Sequence, residues 1–196
     1  VYAAILALLF ELGVAFHDLE IENVADGTKP KEEAEAQLKG IGRKIGRQVL
    51  KDYVVFPALA GPFFLPVLTG NLTANIVRNL WSFTIIFCGH FPDGVAQFTD
   101  EDVEGESRGG WYARQVLGSA NIAGGRTLDL LSGNLSYQIE HHVFPDLPSN
   151  RYAEVAPKVR ELCERHGLPY NTGSLTKQFS SVVRRIVRLS RRPVSA

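Results

Sequence analysis

Two apolar stretches, residues 53–70 and 72–91, lie back to back with Gly70-Asn71 at their junction, and this constrains the fold more than any other feature. Each is close to the roughly 20 apolar residues that a helix needs to cross a bilayer. Pro57, Pro62 and Pro66 interrupt the first, which membrane helices tolerate where neighbours satisfy the freed backbone groups. The pair predicts a transmembrane helical hairpin. A buried helical pair in a soluble protein is the competing reading, and a mean hydropathy of -0.03 keeps it open.

The flanking segments are read against that hairpin. Residues 1–19 begin as an apolar run, but Glu11 makes full insertion costly, so they are expected to lie in the interface or re-enter. In residues 26–52, Leu38, Ile41, Ile45 and Val49 recur at helical spacing, with Tyr53 next in the series, which predicts an amphipathic helix. Lys29, Lys31, Lys39, Arg43, Lys44, Arg47 and Lys51 outnumber Glu32, Glu33 and Glu35 there, so this loop is expected on the cytoplasmic side. The hairpin then leaves and returns, which brings His90 to the same side. Asn75, Asn79, Ser82 and His90 share a stripe, interrupted by Ile86, that should face protein rather than lipid.

After His90 the chain reads as soluble. The acidic loop from Phe91 to Trp111 lacks the ordered spacing of a calcium site and is expected to be a solvated connection. Helices are predicted over 111–120 and 127–142. Another should start at Ser149 as N-cap, bury Val155, Val159, Leu162 and Cys163, and stop at Gly167 and Pro169. His166 falls in its last turn, where the helix dipole favours a cation. Residues 174–192 form a basic amphipathic helix with Leu175, Phe179, Val182, Val183, Ile186 and Leu189 on one face. It is expected either to lie on an anionic membrane surface or to dock on the rest of the chain.

The chemistry concentrates in Asn134-Leu135-Ser136-Tyr137-Gln138-Ile139-Glu140-His141-His142-Val143-Phe144-Pro145. On a helix, Gln138, His141 and His142 share one face, and neutral imidazole is the commonest transition-metal ligand. Asn134 would sit one turn earlier on that face. Glu140 would point elsewhere, as a surface charge. On spacing alone, a His-His pair is more often a surface or core feature than a metal site.

The wider run from Gln138 to Tyr152 resembles the third histidine box of the membrane fatty-acid desaturases, in the subgroup whose box opens with glutamine. The likeness, to actinobacterial-type acyl-CoA desaturases, continues through Val159–Leu162 and Leu168–Gly173, with an upstream counterpart in Phe87–Gly94. It implies two iron ions, a di-iron centre, held by histidines of three boxes and one at a helix end. His141 and His142 match the third box and His90 the helix end. Gln138 stands where other subgroups have histidine, as a weak ligand or a group that hydrogen-bonds one, and Asn134 is expected to bond a ligand. No catalytic residue separate from the metal ligands is implied.

The first two boxes are absent, and the remaining histidines, His17 and His166, stand alone. There is no methionine, and Val1 opens directly into an apolar run, so the chain is read as the C-terminal part of a longer enzyme, inactive alone. The resemblance implies O2-dependent introduction of a double bond into an acyl-CoA or acyl-lipid chain at a bacterial inner membrane, with the metal site cytoplasmic. Electrons would come from a ferredoxin or a flavin reductase, because no flavin or nicotinamide motif is present. A related acyl hydroxylase and a catalytically inactive membrane fragment remain as alternatives. Zero net charge gives no support for nucleic acid as a partner, and Cys88 and Cys163 suggest neither a metal site nor a disulfide framework. The fold class is therefore all-α, a transmembrane hairpin with a cytoplasmic helical metal-binding cap, divided into 1–92 and 93–196.

Overall fold

The structure is a computed structural model that describes residues 2–191; Val1 and Arg192, both used above, lie outside the described residues. The chain is predominantly helical and divides into two compact units, 1–83 and 84–196.

The first unit comprises α1 (Tyr2–Leu8), α2 (Phe10–His17), α3 (Ile21–Ala25), α4 (Lys31–Leu50), α5 (Phe56–Leu59) and the first part of α6 (Phe64–His90). Glu32 and Glu33 sit in the first turn of α4 and Arg47 in its last, each favoured by the helix dipole. Ile41 and Ile45 are half-buried, whereas Leu38 and Val49 are exposed, so the predicted stripe is only partly covered. A π-helical turn, Lys51–Val55, carries the chain into α5.

The break between apolar segments falls at residues 60–63, not at Gly70-Asn71. Gly61 has φ 55°, which a glycine adopts freely, and Pro62 cannot extend a helix from before it. Pro66 lies in the first turn of α6, where its missing N–H costs nothing, and α6 then runs unbroken through Gly70 and Asn71. Asn71 Nδ2 donates to the Asp52 carbonyl at 2.6 Å. Asn75 Nδ2 donates to the Tyr53 hydroxyl at 2.8 Å, and Asn79 Oδ1 accepts from the Glu11 N–H at 2.8 Å. Arg78 pairs with Glu11, which also accepts from Gln48. The asparagine stripe thus faces protein. These polar residues also dilute the apolar character of α6: among the described residues, no helix is long and apolar enough to cross a membrane. The predicted transmembrane hairpin is not what the structure contains.

The second unit holds the rest of α6, then α7 (Asp100–Val103), α8 (Arg108–Leu117), β1 (Asn121–Ala123), α9 (Gly125–Leu131), α10 (Gln138–Val143), α11 (Tyr152–Arg165), β2 (Thr172–Ser174) and α12 (Leu175–Ser190). Ser107 caps α8, its hydroxyl accepting from the Gly110 N–H at 3.0 Å. The two short strands pair in parallel, Asn121 opposite Thr172 and Ala123 opposite Ser174. Val116, Ile139, Val143, Val159 and Cys163 form the core, with Leu168 and Tyr170 packed against it.

Three local expectations are corrected here. The predicted helix over 127–142 is two helices, because Gly133 (φ 63°) and Asn134 (φ 64°) both adopt left-handed backbone between them. Asn134 therefore lies in a turn off the histidine-bearing face, its carbonyl accepting from the Tyr137 N–H. Ser149 opens a 3-10 turn, Ser149–Arg151, and makes no side-chain cap. The acidic loop is solvated as expected, with Glu106 pairing Arg114 at 2.8 Å.

Candidate metal centre

His90 ends α6, and its ring bonds the Gly118 backbone, which leaves Nε2 directed at Gln138. Gln138 and His142 come from the first and last turns of α10. Gln138 Nε2 lies 3.0 Å from His90 Nε2 and 3.3 Å from His142 Nε2. The two imidazoles cross edge to face with centroids 4.9 Å apart. One amide thus lies within hydrogen-bond distance of both ring nitrogens, and the two imidazoles converge on it. Gln138 is 3% exposed, and its Oε1 is buried without a hydrogen-bond partner.

Burial lowers the His90 pKa and drives that of His142 down to about 4, with the nearby His90 and His141 charges adding to the latter. Desolvation opposes the charged ring, and like charges oppose it further. Neutral imidazole is the form that binds a metal. An unfolded His142 takes up its proton near pH 6.5 and the folded one only near 4, so folding weakens as pH falls through that window. Glu140 is raised by burial and contributes the opposite sign as pH falls through its own range. We expect urea titrations of wild type and His142→Gln to separate the two: the acid loss between pH 6.5 and 4 should be shallower in the variant. Equal slopes would remove His142 as its source.

His141 takes a different partner. Its Nδ1 lies 3.1 Å from the hydroxyl of Tyr152, which is 2% exposed. That bond fixes the ring and leaves Nε2 available. Sequence reading gave Tyr152 no role, although its place ten residues past the box, at the start of α11, is what lets it reach back.

Glu140 is the largest correction. It is not a surface charge but fully buried, at 0% exposure. Its Oε2 accepts from Asn121 Nδ2 at 2.8 Å and its Oε1 from the Tyr170 hydroxyl at 2.8 Å. Asn121 also donates to that hydroxyl at 2.7 Å, and its Oδ1 accepts from the Ile139 N–H at 2.8 Å. One side chain on β1 thus satisfies a free N–H at the start of α10 and a buried carboxylate in its middle. Arg160 stacks on the Tyr170 ring at 4.7 Å. These bonds orient the six-residue helix that carries Gln138, His141 and His142.

Gly89 is where α6 approaches the amide. A Cβ there would fall 2.8 Å from Gln138 Cγ and 3.0 Å from its Cδ. Relieving that contact requires the Gln138 side chain to shift. Gly89→Ala is expected to destabilise by about 1–3 kcal/mol, the scale of overpacking, and to displace Gln138. Chemical denaturation checks the first, and a wild-type midpoint would contradict it.

The donor set suits a transition metal in kind: two convergent neutral imidazoles and an unpaired amide oxygen. Among the described residues, no three His, Cys, Asp or Glu side chains converge on one point, so the set is partial. His166 is exposed at the end of α11 and lines a separate apolar cavity with Tyr112, Val143 and Leu162. His17 ends α2 in the first unit. Neither joins the cluster.

The fatty acid desaturase family model matches residues 4–174. The NADPH-dependent stearoyl-CoA 9-desaturase of Mycobacterium tuberculosis is 50% identical over 194 residues, which cover 97% of this chain and 45% of that protein. The fatty acid desaturase 2-like protein FADS2B of Mus musculus is 38% identical over 135 residues, 67% of this chain and 26% of that one. Human fatty acid desaturase 3 is 29% identical over 118 residues, 60% and 25% respectively. No solved structure matches significantly. The chain belongs to the fatty acid desaturase family. It spans less than half the length of the mycobacterial relatives.

Proposed function

We propose that this chain supplies part of the iron site of a membrane-associated fatty-acyl desaturase acting on a long-chain acyl-CoA. The observation that carries the reading is the convergence of His90 and His142 on Gln138, inside a chain of the desaturase family. The 50% identity to a stearoyl-CoA 9-desaturase supports an acyl-CoA substrate, and that relative's NADPH dependence supports NADPH as the ultimate electron source.

His90, His142 and His141 would hold iron, and histidines outside this chain would complete the two-iron set. Bound iron supplies the redox chemistry by which O2 takes two hydrogens from adjacent methylenes. The electron balance requires a donor: O2 accepts four electrons in becoming two waters, and the new C=C provides two. A ferredoxin or flavin reductase would deliver the other two. The chain's own contribution is positional. Gly118 and Tyr152 orient His90 and His141, Gln138 bridges His90 and His142, and the Asn121–Glu140–Tyr170 network fixes α10. Burial keeps the His90 and His142 rings neutral. His142 borders a polar hollow of about 280 Å³ with Arg114 and Gln115.

Membrane association rests on the apolar surface of the first unit, where Leu59 is 79% exposed and Phe63 66%. Soluble surfaces rarely leave so many large apolar side chains uncovered. The test is product analysis by mass spectrometry after the whole enzyme is supplied with stearoyl-CoA, O2, NADPH and a reductase. A mono-unsaturated product supports desaturation; a hydroxylated product would favour the hydroxylase.

A further inference from the structure

Helix α12 has three faces rather than two. Gln178, Ser181 and Val182 are buried, so this side docks on its own unit. Gln178 Nε2 donates to the Asn121 carbonyl at 3.2 Å, and Ser181 Oγ accepts from the Asp93 N–H at 3.1 Å. Docking does not use up the apolar residues. Phe179, Val183 and Val187 follow one another at intervals of four, form a second stripe beside the docked face, and are all exposed. Lys177, Arg184, Arg188 and Arg191 border that stripe on its other side.

The charge is concentrated. Residues 175–191 contain no Asp or Glu, although the chain as a whole has zero net charge. Arg184 reaches Asp93 at 3.3 Å but remains 71% exposed, and Arg188 and Arg191 make no ion pair among the described residues. An apolar stripe with a basic border is complementary to one kind of surface: a bilayer whose headgroups are anionic and whose acyl chains accept the apolar side chains. An acidic protein groove would need shape complementarity that a row of Phe and two Val offers only weakly.

We propose that α12 anchors the second unit to an anionic lipid bilayer, inserting Phe179, Val183 and Val187 while its opposite side stays docked. This is independent of the iron site and of the substrate. It also gives the helix a definite rotation, because the docked residues fix which side meets the lipid.

The experiment uses the whole chain carrying an environment-sensitive fluorophore at Val187→Cys; Cys88 and Cys163 are buried and free. Vesicles are phosphatidylcholine alone or phosphatidylcholine with phosphatidylglycerol. The label reports on α12 itself, so vesicle binding through the first unit does not mimic the result. The expected outcome is a blue shift with phosphatidylglycerol vesicles, little shift with phosphatidylcholine, and loss of the shift at high salt. Arg188→Gln with Arg191→Gln should weaken the response about thirtyfold in lipid concentration, because each cation near an anionic surface contributes comparably. Three results would overturn the proposal: equal shifts on both vesicle types, no shift on either, or an emission already blue without lipid, which would mean that protein covers the stripe.

Discussion

His142→Ala in the whole enzyme is expected to lower desaturation by at least about a hundredfold, since even partners of metal ligands act on the scale of 10–100-fold. His142 Nε2 lies 3.3 Å from the same Gln138 amide nitrogen that His90 approaches, and its ring is neutral across the physiological range because burial pushes its pKa down to about 4. Truncation removes one of two converging lone pairs and opens the polar hollow beside it. His166→Ala is the matched control. That ring is exposed in another cavity, and its loss should leave turnover within about twofold, as for a surface substitution of small energetic effect. The measurement is product formed per enzyme with stearoyl-CoA. Equal losses in the two variants would separate His142 from the chemistry.

Asn121→Ala is expected to destabilise the chain by about 4 kcal/mol. Hydrogen bonds to a charged group contribute about 1.5–3 kcal/mol, and stranding a buried partner adds its desolvation cost. Asn121 makes three bonds at 2.7–2.8 Å, one to the Glu140 carboxylate and two to neutral groups, the Tyr170 hydroxyl and the Ile139 N–H. The alanine leaves a buried carboxylate with one donor and a helix-start N–H with none. For a unit of this size the melting midpoint should fall on the order of 15 °C. Tyr170→Phe removes one donor to Glu140 and should cost less than half as much. Circular dichroism on heating reads both. An Asn121→Ala midpoint within about 3 °C of wild type would show that the network contributes little, on the usual scale of degrees per kcal/mol.

The sequence was most legible where local chemistry determines structure. The 3.6-residue spacing of Ile41 and Ile45 placed α4 correctly, and Gly167 with φ 67° ends α11 as its position after an apolar stripe implied. The Gln138–His142 face survived because it needs only one turn of helix. Likewise, the asparagines of α6 face protein because lipid and an apolar neighbour are equally poor partners for an amide.

What failed depended on contacts distant in sequence. Glu140 reads as a surface charge until β1 and Tyr170, 19 and 30 residues away along the chain, close over it. No periodicity announces a carboxylate whose donors lie on other elements. A local exception is the 127–142 helix, which breaks at Gly133-Asn134, a pair that adopts left-handed backbone readily. The position of the turn, by contrast, depends on a distant contact. Gly70-Asn71 carries the residues of a turn, but the Asp52 carbonyl offers Asn71 a partner that keeps the helix intact. The Gly61-Pro62 pair takes the turn instead.

The central claim is that His90, His141 and His142 hold iron, and metal content measures it directly. The whole enzyme and its single His→Ala variants at these three positions would be purified under reducing conditions and assayed for iron, with His17→Ala and His166→Ala alongside. The account predicts iron in wild type and in both controls, and loss of iron in each of the three variants. Undiminished iron in the His90, His141 and His142 variants would contradict it, whatever activity they retained.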